Sequence, residues 1–194
     1  MSKSSVSPAR NSQLRSIALA ARRAMDDDVR ANTSHLITEQ LVRCHEFHAA
    51  RSIACYLPMH DEVDPRQVIV RAWRANKRVF CPVVTGNGEM IFRILQADSL
   101  LDRGPFGIWE PVTGATINPC DLDLVVTPLV AFDDQRHRIG MGGGYYDRCF
   151  AFLRHRRHWL RPKLFGVAFD CQKIEKIPPN PWDIRLYRVI SAAG

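Results

Sequence analysis

The sequence predicts an α/β fold: a single domain with a mostly parallel central sheet flanked by helices. Three observations predict it. The 194 residues are 46% apolar, enough for one buried core without metal or disulfide staples. Short apolar runs alternate with segments of helical period, the rhythm of βαβ units. The most apolar of these runs leads into a glycine-rich turn that opens a helix.

Residues 1–194 are expected to form the domain, with 1–7 as a flexible tail. Met1 to Asn11 is polar and serine-rich and lacks the apolar stretch of a secretory signal. Ser7-Pro8 is a helix start, with serine as cap and proline in the first turn. Leu14, Ile17, Ala18, Ala21 and Met25 then recur at three- and four-residue spacing. Asp26-Asp27-Asp28 closes this helix and opens a second, which carries Val29, Leu36, Ile37, Leu41 and Cys44 on one side. Ser52 to Leu57 reads as a buried strand. Asp64-Pro65 caps a helix bearing Val68, Ile69, Ala72 and Trp73, and Arg78 to Val84 is the next strand, so that pair should be parallel. Thr85 to Gly88 turns into Met90 to Leu95, a hairpin partner. Asp98 to Cys120, rich in Gly and Pro, is the least regular stretch. Leu122 to Val130 is the strongest strand candidate. It is followed by the turn and by a helix from Tyr145 to about Arg157. Lys163 to Asp170 and Arg185 to Ser191 complete the strands.

Composition narrows the function classes. No run approaches the roughly 20 apolar residues that span a bilayer, so no membrane partner is expected. Cys44, Cys55, Cys81, Cys120, Cys149 and Cys171 are scattered without metal or redox spacing, which fits reduced thiols in a cytoplasmic protein. The net charge is +7, with a basic cluster at Arg154-His155-Arg156-Arg157-His158 continuing to Arg161 and Lys163. No nucleic-acid-binding motif accompanies it, and small polyanions are the expected partners. The pairs His45/His48 and His155/His158 share helical spacing but have no third ligand nearby. Trp73 and Trp159 read as packing residues.

The glycine turn Gly140-Met141-Gly142-Gly143-Gly144 carries the chemistry. Without side chains, its backbone can close on a phosphate, with successive N–H groups pointing inward and the helix start adding partial positive charge. Arg138 supplies a full charge to the same place. Asp147 lies where a magnesium ion bridging phosphates needs oxygen ligands. The pattern is neither a P-loop nor a dinucleotide fingerprint, and spacing alone also allows a plain tight turn. Tyr145 and Tyr146 are either site residues or core aromatics, with one of them expected in the core.

Arg138 to Arg148 (RIGMGGGYYDR), preceded by Thr127 to Asp133 (TPLVAFD), resembles the signature of the 5-formyltetrahydrofolate cyclo-ligase family. Leu14-Arg15, Tyr56-Leu57 through Asp61-Glu62-Val63-Asp64, Phe106-Gly107-Ile108 with Glu110-Pro111, and Pro181-Trp182-Asp183 fall in the family's order. The resemblance implies an enzyme that uses ATP and Mg2+ to phosphorylate the formyl oxygen of 5-formyltetrahydrofolate, with or without a polyglutamate tail. The second folate nitrogen then closes the ring, giving 5,10-methenyltetrahydrofolate, ADP and phosphate.

Carried over by position, Arg15 and Arg138, Ile139, Gly140, Met141, Gly142, Gly143, Gly144, Tyr145 and Tyr146 would hold ATP. Leu57, Glu62 and Phe106, with Met141 to Tyr145, would line the folate site. Arg138 and Tyr145 would act in catalysis, and Asp147 with Asp183 would bind the metal. One position departs from the pattern: the family usually has lysine four residues before the helix arginine, and Asn11 stands there, with Arg10 beside it. A non-catalytic folate- or RNA-binding relative is the competing reading, and an enzyme of similar fold acting on a phosphorylated sugar or coenzyme A is a third. A monomer is expected.

Overall fold

The structure is a computed structural model that describes residues 8–156 and 161–193. The expected tail at 1–7, the Ser7 cap, and the roles given to Arg157, His158 and Trp159 lie outside the described residues.

The chain opens with α1 (Pro8–Arg23), α2 (Asp27–Arg43) and α3 (His45–Ala49), then β1 (Ser52–Cys55), α4 (Arg66–Arg74), β2 (Arg78–Val84) and β3 (Met90–Ile94). Three short strands follow: β4 (Leu101–Arg103), β5 (Trp109–Pro111) and β6 (Thr116–Ile117). β7 (Leu124–Pro128), β8 (Ala131–Phe132), β9 (Arg138–Ile139) and α5 (Tyr145–Cys149) come next, and β10 (Lys163–Val167) and β11 (Arg188–Ile190) end the chain. The main sheet has seven strands in the order β11-β10-β7-β1-β2-β3-β6. β11 through β2 pair in parallel, and β3 and β6 add an antiparallel edge. The fold is thus the expected mostly parallel α/β layer structure.

Alternation along the strands separates two cores. Ile53 and Cys55 of β1 and Leu124 and Val126 of β7 face α2 and α4, where Ile37, Leu41, Val68 and Ile69 meet them. Ala54 and Val125 face the other side, with Phe80, Phe92, Phe150 and Leu164. A third cluster, Ala18, Val130, Ala131, Ile139 and Ile177, lies under α1. Truncating a fully buried residue such as Leu124 or Phe165 to alanine costs about 2–5 kcal/mol.

Several local expectations are corrected. Val29 and Leu36 are exposed, because α2 turns Arg30, Ser34, Ile37, Thr38 and Leu41 inward instead. Arg30 is there to donate to carbonyl groups at and just beyond the end of α1, at Arg22 (3.5 Å) and Met25 (2.7 Å). The helix expected from Tyr145 to about Arg157 is a five-residue α5 followed by a 3-10 turn over Ala151–His155. The break falls at Phe150, which leaves helical geometry (φ −101°, ψ 16°) as its ring buries against Phe92. The irregular stretch contains β4, β5 and β6, with β4 and β5 forming a separate two-stranded hairpin.

The strand order fixes where a ligand belongs. From β1 the chain moves outward to β2 on one side, then returns to place β7 on the other. Open parallel sheets bind ligands at such a switch point, beyond the carboxyl ends of the strands. The loop leaving β1 carries Glu62, and the segment leaving β7 runs through β8 and β9 into the glycine turn.

Candidate active site

After β7 the chain folds into the β8–β9 hairpin, held by Val130 N–H on the Ile139 carbonyl at 2.7 Å. Asp133 clamps this hairpin. Its carboxylate accepts the His137 N–H (2.9 Å) and the Ile177 N–H (2.9 Å), and lies 3.0 Å from His137 Nδ1. Burial pushes the Asp133 carboxyl up, but these hydrogen bonds outweigh it and hold it below the ordinary aspartate value.

The glycine turn follows directly. Gly142 (φ 105°) and Gly144 (φ 64°) adopt backbone angles that suit glycine. A Cβ at Gly143 would meet the Tyr145 ring at 2.6 Å. Among the described residues, the N–H groups of Met141, Gly142 and Gly143 have no protein acceptor, so they are available to an anion. Because α5 is one turn long, those amides and nearby cations matter more than a helix dipole.

Two arginines serve the turn. Arg15 Nε donates to the Gly140 carbonyl at 2.8 Å, which brings α1 against the turn. Arg138, with a side chain 6% exposed, donates Nη2 to Asp147 Oδ1 at 2.7 Å, and Nη1 bonds the Ile184 carbonyl. Asp147 Oδ1 also accepts the Ile184 N–H at 2.9 Å, leaving Oδ2 without a protein partner among the described residues. Asp183 accepts from Asn180 N–H at 2.8 Å. Its carboxyl is raised, first by burial and then by the nearby Asp147 charge, which puts the two acids in one field. Among the described residues no three or more His, Cys, Asp or Glu side chains cluster as a metal site. A two-carboxylate site is nonetheless what Mg2+ uses when phosphate oxygens and water complete its shell.

The other half lies beyond β1. The Tyr56 hydroxyl donates to Val63 O at 2.7 Å, fixing the ends of the loop. Within it Glu62 N–H bonds Met59 O, and Glu62 Oε2 accepts Met59 N–H, both at 3.1 Å. Glu62 is buried, and desolvation raises its carboxyl despite the Met59 N–H and the Arg22 charge. It borders a cavity of about 480 Å³, lined also by Leu57, Met59, Arg30, Leu101 and Trp109.

The β4–β5 hairpin roofs this cavity through Leu101 and Trp109, and Phe106 at its tip meets Tyr145 edge-on with ring centroids 5.6 Å apart. The two halves therefore touch. Tyr146 faces the other way, stacking on Phe150 in the second core, so it is the core member of the tyrosine pair. Ile139 is likewise a core side chain and offers the site only its backbone.

Arg15, Arg138, the glycines, Tyr145, Asp147, Asp183 and Phe106 thus surround one turn, while Leu57 and Glu62 line the adjoining cavity. Sequence reasoning missed Trp109, Asp133 and Arg22. Trp109 was hidden in the irregular segment. Arg22 had a readable signal, because it lies seven residues, two turns, after Arg15 on the same face.

The chain matches the model of the 5-formyltetrahydrofolate cyclo-ligase family over residues 7–192. It is 33% identical to the 5-formyltetrahydrofolate cyclo-ligase of Haemophilus influenzae over 161 residues, covering 79% of this chain and 82% of that protein. Identity to the Escherichia coli K12 protein of the same name is 37% over 146 residues, covering 73% and 78%. The NMR structure of Aquifex aeolicus 5,10-methenyltetrahydrofolate synthetase superposes with a TM-score of 0.81 at 32% identity, over 95% of this chain and 90% of that one. With its signature folded into one site, this chain belongs to the 5-formyltetrahydrofolate cyclo-ligase family.

Proposed function

We propose that the protein closes 5-formyltetrahydrofolate to 5,10-methenyltetrahydrofolate at the expense of ATP, through a phosphorylated formyl oxygen. The observation that carries this is the contact between Phe106 and Tyr145, which joins an anion-accepting turn to a cavity holding a buried acid. A two-substrate phosphoryl transfer needs that adjacency.

In this reading the free N–H groups of the glycine turn, with Arg15 and Arg138, hold the nucleotide phosphates. Asp147 and Asp183 would hold Mg2+, which would supply positive charge against the phosphates. Glu62 accepts N–H groups of the pterin, and Leu57, Trp109 and Phe106 pack on its rings. The formyl oxygen attacks the γ-phosphorus and ADP leaves. The second folate nitrogen then attacks the activated carbon and gives up its proton to solvent, and the carbon–oxygen bond breaks to release phosphate. Arg138 and Tyr145 border the transferred group, and the protein's work is positioning and charge stabilisation. The protein acts as a cytoplasmic monomer on ATP and 5-formyltetrahydrofolate, polyglutamylated or not, with no nucleic-acid or membrane partner.

The test is direct. Purified protein is mixed with 5-formyltetrahydrofolate, Mg2+ and ATP, and near-ultraviolet absorbance of the conjugated methenyl product is followed. A rise that requires ATP is expected. No rise from folded protein overturns the proposal.

A further inference from the structure

Arg22 is only 2% exposed, and its partners come from both loops of the switch point. Nε and Nη2 donate to Asp61 Oδ2 at 3.1 and 2.9 Å. Nη1 donates to the Leu129 carbonyl at 3.4 Å and lies 3.9 Å from Glu62 Oε1. Arg23 adds a second cation 3.6 Å from Asp61 Oδ2. Two guanidinium groups therefore face two carboxylates. With Asp61 attended by both, the Nη1 arm of Arg22 is left for Glu62 and the end of β7.

We propose that Arg22 is the positioning residue for Glu62: it fastens the Asp61-Glu62 turn to Leu129, just after β7, and sets its positive charge against the Glu62 carboxyl at the cavity wall. This rests on reading Glu62 as the acceptor for the N–H edge of the folate. An ionised carboxylate only accepts hydrogen bonds and suits an edge that presents paired N–H donors, whereas a protonated one brings a competing donor.

The surroundings leave Arg22 as the close cation for this task. Burial pushes the Glu62 carboxyl up; the Met59 N–H and the Arg22 charge pull it down, and Asp61 opposes them. The Tyr56 hydroxyl is spent on Val63 O. Tyr146, from α5, is partly buried, and desolvation holds its hydroxyl well above the ordinary tyrosine value, so it brings no charge. Around the cavity, Arg30 is paired with Asp27 and Arg66 with Asp64, and His60 completes the charged or titratable lining.

The experiment uses the full chain with Arg22→Gln, Arg22→Lys and Asp61→Asn. Glu62 is titrated by carboxyl-carbon NMR, with its signal assigned through Glu62→Gln. Losing the facing charge in Arg22→Gln should raise the Glu62 midpoint by about one pH unit or more, as expected for an opposite charge within ~4–6 Å. Arg22→Lys should recover part of that rise. Asp61→Asn leaves Arg22 in place and should move the midpoint down, which keeps the test open if Arg22→Gln does not fold. In turnover, Arg22→Gln should raise the KM for 5-formyltetrahydrofolate by up to about tenfold below the Glu62 midpoint, the limit set by a midpoint moved by about one pH unit, with the difference vanishing well above it. The KM for ATP should stay nearly unchanged. A Glu62 midpoint that stays put in the Arg22 variants and in Asp61→Asn overturns the proposal. The titration needs no turnover, so it is decided separately from the cyclo-ligase reading, which rests on product formation by the unaltered protein.

Discussion

Asp147 has a structural role that its contacts show and a metal-binding role that the proposed function assigns to it, and two substitutions separate them. Oδ1 holds Arg138 at 2.7 Å and the Ile184 N–H at 2.9 Å, while Oδ2 has no protein partner among the described residues. Asp147→Ala strands a guanidinium that is 6% exposed and orphans one N–H. A charged hydrogen bond contributes about 1.5–3 kcal/mol and an orphaned donor costs about 1–3 kcal/mol. The Asp147 side chain is 25% exposed, so water relieves part of this, and a loss of about 3 kcal/mol is expected. For a chain of this size that lowers Tm by about 6–12 °C. Asp147→Asn retains a carbonyl oxygen for Arg138 and Ile184 and should lose only about 1 kcal/mol, about 2–4 °C. Both should lose activity by about 100-fold or more if the carboxylate serves phosphoryl transfer. Activity of Asp147→Asn should also need more Mg2+. Thermal melts and initial rates across a Mg2+ series measure both effects. An Asn variant with normal Mg2+ dependence refutes the metal role, and an Ala variant as stable as the parent refutes the structural one.

Glu62→Gln should stabilise the fold and weaken folate binding. The folded carboxyl titrates above its unfolded value, so ionisation costs stability that is fully felt only above the folded pKa; melts at neutral pH should rise while the folate KM rises sharply, and a Tm below the parent's contradicts this. Asp133 has the opposite sign. Its lowered carboxyl adds stability above the unfolded value near ~3.9, lost as pH falls through the folded value. Asp133→Asn should therefore flatten the acid limb of Tm against pH, and an unchanged limb excludes Asp133 as its source. Gly142→Ala has room, with the Arg15 guanidinium carbon 3.7 Å from the new Cβ, but at φ 105° it strains the backbone by roughly 1–2 kcal/mol. It should raise the KM for ATP more than that for folate, and equal effects on both would show that the turn does not hold the phosphates.

The sheet was readable because its signals are local. Arg78 to Val84 matches β2 at both ends, and the apolar runs of β1, β7 and β10 can hardly be anything but buried strands. The glycine turn and its acids were readable for a different reason: they follow one another in the chain and match a family signature. What escaped depends on partners far away in sequence. Arg30 lies inward on α2 to meet carbonyl groups at and just beyond the end of α1, and no period within α2 predicts a buried arginine. α5 ends early because of where Phe150 packs, a fact that belongs to Phe92 and the second core. Trp109 joins the cavity only because the β4–β5 hairpin folds over it.

That hairpin differs mechanically from everything beneath it. The loop carrying Glu62 leaves β1, and the β8–β9 hairpin that ends in the glycine turn follows β7; β1 and β7 are neighbours, locked in register by the pairs Ile53–Leu124, Ala54–Val125 and Cys55–Val126. The separation of these two strands is a fixed gauge, about 4.8 Å, and Val130, Ala131 and Ile139 seat the β8–β9 hairpin in the core under α1. The roof is a two-stranded ribbon outside the main sheet, and such ribbons are only marginally stable alone. The site thus resembles a vice with one cast jaw and one adjustable jaw. Changes in ligand girth should be accommodated by Leu101, Phe106 and Trp109, whereas the reach from the glycine turn to Glu62 stays as the sheet and the core under α1 set it. Anyone redesigning the pocket would shape the ribbon first and leave the two strands alone.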